Sequence, residues 1–420
     1  MTSITPTSSI HLGSENARSF AARLARVDRF FAEKYVKPGK LAGSFVQVWR
    51  RGELALNSLQ GMADLERDVP MAEDTIFRIY SMTKPITAVA LMILFEEGRI
   101  ALDDPVAKHI PAWADLRVYA SGELGAFNTQ PPARPMQVVD LLRHTSGLTY
   151  GFQRRTPVDA AYRKLRLGEV ELSGTLDAMI AALAGLPLEF SPGEAWNYSV
   201  STDVLGYLIG KISGQPFETF LQERIFAPLG MVDTGFHVPP EKAQRLAACY
   251  AIGQLGRAVA PDSKLTLQDD PRTSSYLQPP SFISGGGGLV STAADYMRFA
   301  RMLLGGGTLD GTRILGRKTV ELMTVNHLPG GVDLPQLSRS MFSEGAYNGV
   351  GFGLGLATTI AAAQTLTLGS TGDFFWGGAA STFFVVDPRE DMVIMLLTQL
   401  IPSTAYALRR ELRTLVYAGL

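Results

Sequence analysis

Apolar residues recur at Phe20, Leu24, Val27, Phe30 and Phe31, the three-to-four spacing of an amphipathic N-terminal helix. The pattern then shortens. Phe45 to Trp49 and Leu54 to Leu59 have the look of strands, and Arg51-Gly52 supplies a hairpin turn between them. The C-terminal stretch "STFFVVDPREDMVIMLLTQL" repeats this arrangement, with two apolar strands around Asp387 to Asp391 and a final helix from about Thr404 to Tyr417. The intervening chain is largely helical in pattern. Its greasiest run, Ala88 to Phe95, belongs to a helix predicted from Ser81 to Glu97. Pro85 has no N–H to donate and is tolerated only in a first turn, and Gly98 offers a left-handed stop. Ile86, Val89, Ala90, Ile93 and Leu94 form one face, but Leu91, Met92 and Phe95 make the others apolar, which predicts burial on all sides. A further helix carries Val204, Leu205, Leu208, Ile209 and Ile212 on its buried face and ends at Gly214. Residues 1–15 are expected to be a flexible start. Residues 255–283, rich in Pro, Ser and Asp, are expected to be a long connecting loop.

Helix and strands at both ends with helical material between them predict an α+β architecture. One antiparallel sheet, flanked by helices, is expected from residues 1–80 and 340–420. A largely helical lobe, residues 81–339, is inserted, and an active site is expected between the two.

Composition narrows the chemistry. The chain has 420 residues, 46% hydrophobic and 19% charged, enough for a substantial core. A formal net charge of −1 gives no electrostatic case for nucleic acid or an anionic membrane surface. No apolar run spans a bilayer, and "MTSITPTSSIHLGSENARSF" lacks the basic and apolar regions of a secretory signal, so a cytoplasmic protein is expected. The one cysteine, Cys249, reads as a small buried hydrophobe. His11, His109, His144, His237 and His327 show no ligand spacing, so neither a metal nor another cofactor is expected.

The chemistry that remains is nucleophilic. Ser81 and Lys84 stand three residues apart at the start of the greasy helix, hence on one face of its first turn. Lys84 is the only lysine in the chain with a serine three residues before it. A hydroxyl near a helix N-terminus is favoured as it becomes anionic, and a partly dry amine is favoured in its neutral, basic form. That pairing is a nucleophile with its base; the plainer alternative is a capping serine beside a lysine that snorkels. Tyr198-Ser199-Val200 lies in the loop before the next helix, where a second polar catalytic group or a buried tyrosine would stand. Trp376-Gly377-Gly378 precedes a strand, where glycines let another backbone or a substrate approach.

Taken together, the three stretches resemble the serine β-lactamase and penicillin-recognising superfamily. Within it they resemble the family VIII carboxylesterases, relatives of class C β-lactamases. The family's S-x-x-K is Ser81 to Lys84, its tyrosine motif is Tyr198-Ser199-Val200, and its W-G-G is Trp376-Gly377-Gly378. "LLRHTSGL", "PLGMVDTGF" and "SGGGGLVSTAADYMRFARML" also look like the superfamily, so the resemblance runs from about residue 40 to 400. It implies a β-lactamase-like fold and an acyl-enzyme on Ser81, with Lys84 and Tyr198 sharing acid–base work. The implied oxyanion hole is the backbone N–H groups of Ser81 and Ala379. The implied substrate is a small, short-chain ester, with acyl transfer, β-lactam or D-amino-acid peptide hydrolysis, or non-catalytic binding as the rival outcomes. β-Lactamases have Asn where Val200 stands, and K-T-G where Trp376 to Gly378 stands. Both changes are expected to remove polar recognition of a β-lactam and leave Val200, Trp376, Gly377 and Gly378 to contact the ester. Ser370-Thr371-Gly372 is a competing match to K-T-G. No G-x-S-x-G elbow occurs, "GVGFGLGL" and Gly285 to Gly288 lack the context of nucleotide sites, and His144 reads as part of a helix end stopped by Gly147.

Overall fold

Strands from both ends of the chain meet in one sheet. The computed structural model describes residues 7–9, 15–168, 174–253, 259–260, 263–339, 341 and 345–420. The N-terminal part supplies β1 (Thr7–Ser9), β2 (Gly43–Arg50) and β3 (Glu53–Asp64). The C-terminal part supplies β4 (Val350–Phe352), β5 (Ala357–Thr359), β6 (Phe374–Gly377), β7 (Phe383–Asp387) and β8 (Met392–Leu397). They lie in the order β1-β3-β2-β8-β7-β6-β5-β4, and every pair is antiparallel. The halves join at β2 and β8, where Phe45 faces Leu397 and Arg50 faces Met392.

The period of two along these strands explains why they are apolar throughout. On β8, Met392, Ile394 and Leu396 enter one core, while Val393, Met395 and Leu397 enter the other. On β7, Phe383 and Val385 go to the first and Phe384 and Val386 to the second. Alternate side chains point to opposite faces of a sheet, so both faces are covered by protein.

Five helices matter here: α1 (Glu15–Phe31), α2 (Thr83–Glu96), α3 (Ser201–Ser213), α4 (Ala293–Leu304) and α5 (Leu408–Tyr417). Phe20, Leu24, Val27 and Phe31 of α1 share one core with Leu408, Leu412 and Val416 of α5. Helices α2, α3 and α4 belong to the core on the other face. Every residue of α2 from Thr83 to Leu94 is buried, as its all-round apolar pattern predicts.

Several expectations change. Helix α2 begins at Thr83, because Tyr80–Met82 form a separate 3₁₀ turn that Tyr80 enters with a left-handed φ of 43°. Helix α5 begins at Leu408 rather than near Thr404. The expected loop 255–283 contains a strand, Thr266–Asp269. It pairs with Cys249–Ala251, which in turn runs parallel to Leu400–Ile401. Local composition called for a loop, but the open edge of a neighbouring strand supplied backbone partners. Residues 254–258 and 261–262 of that stretch lie outside the described residues. Of the expected flexible start, Thr7–Ser9 pairs with β3, and residues 1–6 and 10–14 lie outside the described residues. The segment between 81 and 339 also contains a hairpin, Val118–Glu123 with Ala126–Gln130. Among the described residues no helix is long and apolar enough to cross a membrane.

Helix α5 is tied to the sheet by a buried ion pair. Arg413 Nη2 lies 2.5 Å from Asp373 Oδ2, and Asp373 also accepts from Thr359 Oγ1 at 2.5 Å and from the Ser370 N–H at 3.1 Å. Burial pushes the Asp373 carboxyl up, opposed by Arg413. Removing one partner of such a pair leaves an uncompensated buried group. Arg413→Met is therefore expected to lower unfolding free energy by about 3–5 kcal/mol, read from the urea midpoint. Adding Asp373→Asn to it should recover part of the loss; a single substitution that leaves the midpoint unmoved would show that the pair is not a tether.

Candidate active site

The nucleophile candidate sits at a join. Ser81 occupies the 3₁₀ turn directly before α2, between Ile79 and Met82, which are both fully buried. The turn is pinned from the other side of the core. The Met82 carbonyl accepts from Tyr296 Oη of α4 at 2.9 Å, and Thr83 Oγ1 accepts from the Leu289 N–H at 3.2 Å. The left-handed Tyr80 next to Ser81 is unusual for a bulky side chain, and such conformations persist only where surrounding packing enforces them.

Lys84 is 1% exposed. Its Nζ donates to Ser81 Oγ at 3.2 Å, Tyr150 Oη at 3.2 Å and the Gly286 carbonyl at 2.6 Å. Three oxygens thus surround one nitrogen, and in the neutral amine the lone pair is free to face Ser81 Oγ. Tyr198 approaches Ser81 from the loop before α3, with its Oη 2.6 Å from Ser81 Oγ. The Tyr198 ring is held by aromatic contacts. It stacks on Trp196 at 6.0 Å and lies 5.0 Å from His144, 5.4 Å from Tyr150 and 5.7 Å from Trp376 between centroids. These contacts hold the phenol beside the hydroxyl.

Behind Lys84 stands a buried carboxylate. Asp203 Oδ1 accepts from Ser284 Oγ at 2.6 Å and the Gly286 N–H at 2.9 Å, so it holds the residue whose carbonyl meets Lys84. Glycine is required there: a Cβ on Gly286 would lie 2.8 Å from both Asp203 Oδ2 and Tyr150 Oη. Burial pushes the Asp203 carboxyl up, while the Ser284 hydrogen bond and Lys84 pull the other way. Burial, reinforced by Asp203 and Tyr198, pushes the Tyr150 phenol well up, so it stays a neutral partner for the amine.

The end of β6 closes the site. A Cβ on Gly378 would fall 2.4 Å from the Ile79 carbonyl, so glycine lets this strand reach the Ser81 turn. A cavity of about 550 Å³ opens above, lined among others by Ser81, Tyr150, Phe152, Tyr198, Trp376 and Arg409. That size lies in the range of pockets that bury drug-sized molecules, roughly 300–1,000 Å³.

The structure thus brings together Ser81, Lys84, Tyr198, Trp376, Gly377, Gly378 and Ala379. It does not bring Val200 with them. Val200 is fully buried, its Cγ1 lies behind Gly168, and it is absent from the cavity wall. Ser370-Thr371-Gly372 is also off the wall, in the turn before β6. Nor is the Trp376 end without a cation, as the sequence led one to expect: Arg409, from α5, lines the cavity. His144 meets Ser199, not Ser81, with Nδ1 3.2 Å from Ser199 Oγ. Sequence reasoning missed Tyr150, Asp203 and Arg409, whereas Gly286 lies in the "SGGGGLVSTAADYMRFARML" stretch already matched to the superfamily. Tyr150 follows "LLRHTSGL" by two residues, the one local hint available. The other two carried no spacing signal.

Chemically, a hydroxyl between a phenol and an amine, beneath a largely apolar cavity, is a nucleophile with two groups able to carry its proton. The fold and the site define a protein of the serine β-lactamase-like class. The chain belongs to the beta-lactamase family, whose model matches residues 28–418. It is 39% identical to Protein Rv1367c of Mycobacterium tuberculosis over 368 residues, covering 87% of each chain. It is 30% identical to Esterase EstB of Burkholderia gladioli over 422 residues, covering 95% of this chain and 96% of that one. Among solved structures, EstCE1, a hydrolase with promiscuous acyltransferase activity, superposes with a TM-score of 0.77 at 26% identity, over 96% of this chain and 100% of that one. A family VIII carboxylesterase shares the fold with a TM-score of 0.68 at 19% identity, over 99% and 100%.

Burial, and then the nearby Lys84, hold the His144 imidazole well below its ordinary range. The unfolded chain therefore takes up a proton that the native state refuses. The resulting stability is present above about pH 6.5 and is lost as pH falls below it, by up to about 1.4 kcal/mol per pH unit. Urea titrations from pH 7.5 to 5 should show His144→Gln losing less stability than wild type; parallel curves would mean that His144 titrates normally.

Proposed function

We propose that the chain is a serine carboxylesterase that works through an acyl-enzyme on Ser81. The observation that carries this is the placement of Ser81 Oγ 2.6 Å from Tyr198 Oη and 3.2 Å from Lys84 Nζ at the base of the cavity. Ser81 Oγ attacks the ester carbonyl carbon and gives its proton to the coupled Tyr198–Lys84 pair. The pair protonates the alkoxide as the C–O bond breaks. Water then attacks the acyl carbon by the reverse proton path. The N–H groups of Ser81 and Ala379 are the oxyanion donors in this scheme. Ser81 lies in the 3₁₀ turn that leads into α2, where backbone donors are left over from the helix ladder. The Ala379 N–H donates to no other group among the described residues.

The cavity volume favours esters bulkier than the short chains expected from sequence. Its apolar lining also favours an alcohol over water as acceptor once the site is filled, which makes acyl transfer the companion activity. The likeness to EstCE1, a hydrolase with promiscuous acyltransferase activity, and the 30% identity to Esterase EstB support esterase and acyltransferase chemistry in this reading. One observation favours a second reading, hydrolysis of an acidic substrate such as a β-lactam: Arg409, Arg410 and Arg413 line the cavity.

A panel of p-nitrophenyl esters with acyl chains of increasing length, run with and without a competing alcohol, tests the proposal. Ring opening of a reporter cephalosporin is measured alongside. The expected outcome is ester turnover with a fluorophosphonate label on Ser81. Ser81→Ala should lose a factor on the order of 10⁴–10⁶ in kcat while remaining folded. A variant that retains a tenth of the activity refutes the nucleophile. No label and no turnover on any ester points to a binding protein, and faster cephalosporin opening than ester cleavage favours the second reading.

A further inference from the structure

Of the three arginines that line the cavity, Arg409, Arg410 and Arg413, the first is placed against a peptide bond beside the site. Arg409 Nη2 donates to the Gly378 carbonyl at 2.7 Å and to the Thr382 carbonyl at 3.1 Å. Among the described residues no carboxylate pairs with Arg409, and its Nε is buried with no acceptor. The guanidinium is therefore not neutralised by the protein, and in a partly dry setting its field is felt by the groups it touches. The approach is close: a Cβ on Gly377 would fall 2.6 Å from the guanidinium carbon.

The Gly378 carbonyl belongs to the same peptide unit as the Ala379 N–H. That unit is trans, so its C=O and N–H point in opposite directions and are linked by resonance. A cation donating to the oxygen draws electron density through the unit and makes the N–H at the other end a stronger donor. We propose that Arg409 is a positioning residue for acyl transfer, which polarises the Gly378–Ala379 peptide and so strengthens the Ala379 N–H as an oxyanion donor. This rests on the esterase reading and on Ala379 as the second donor within it. The rival account is a mechanical clamp that fixes α5 to the turn at 378–382.

Removal of one oxyanion donor costs about 10²–10³ in kcat, and polarisation strengthens a hydrogen bond by about 10–30%, so loss of Arg409 should cost roughly 2- to 8-fold in kcat. The experiment compares wild type, Arg409→Met and Arg409→Lys in three measurements: steady-state kinetics on one ester, affinity for an alkyl boronic acid, and the infrared C=O stretch of a ¹³C-labelled acyl group on Ser81. In Arg409→Met, kcat should fall with KM nearly unchanged, boronate affinity should fall by a similar factor, and the acyl C=O stretch should move to higher frequency. Arg409→Lys should restore part of each. If Arg409→Met does not fold, Arg409→Gln, which keeps a donor without the charge, takes its place with the same expected signs. An unchanged C=O stretch and boronate affinity, with only thermal stability reduced, would establish the clamp and overturn the proposal. A rise in KM at constant kcat would also overturn it, by making Arg409 a substrate contact. Wild type that forms no acyl group on Ser81 overturns the esterase reading and this inference with it, whereas normal acylation with an unmoved stretch in Arg409→Met overturns this inference alone.

Discussion

A lysine amine buried on an otherwise apolar helix has to find oxygen partners, because an unsolvated charge or a bare amine in a core costs several kcal/mol. Lys84 finds three, and each comes from a different part of the chain: Ser81 from its own turn, Tyr150 from the loop after "LLRHTSGL", and Gly286 from the glycine run. Much of the site follows from that requirement. Asp203 is buried because it holds Gly286 in place, and Gly286 is a glycine because Asp203 and Tyr150 leave no room for a Cβ. Tyr198 completes the ring around Ser81, with its own orientation fixed by Trp196, His144 and Trp376.

The sheet provides the other constraint. Burial on both faces makes β7 and β8 rigid and leaves β6, next to β7, as the platform facing the Ser81 turn. Gly378 brings that platform against Ile79, Arg413–Asp373 ties α5 beside it, and Arg409 of the same helix donates to the Gly378 carbonyl. The site therefore lies where the end of β6 meets the Ser81 turn, over a core that the sheet and α2 share. Small shifts of either would be felt at the 2.6 Å contact between Tyr198 and Ser81.

The buried helix and the paired terminal strands could be read from the residues, because burial on all sides and alternation between two cores each leave a periodic trace. Ser81 and Lys84 were legible for a related reason: their relation is a local spacing on one helical turn. Tyr198 and Trp376 stood in loop and strand-edge positions open to a bland reading, and only resemblance to a family joined them and Ala379 to Ser81, since nothing within the chain links residues 81, 198 and 376. Val200 was misassigned because a motif gives a residue's place in sequence but not the direction of its side chain. The strand Thr266–Asp269 was missed because its reason for forming, the free edge of Cys249–Ala251, lies elsewhere in the chain.

The sequence by itself determined that this chain builds an α+β core around one greasy helix, with a serine and a lysine three residues apart at its entry. Those are consequences of short-range periodicity and of where a proline can sit. Only the tertiary structure decided what surrounds that pair. Tyr150 and Asp203 Oδ1 meet partners across 66 and 83 positions, and Arg409, one of several arginines on a charged helix, meets Gly378 across 31. In each case the partner is set by long-range packing. A buried polar group must be satisfied by whatever the fold brings to it, and the local pattern of the chain carries no record of that choice.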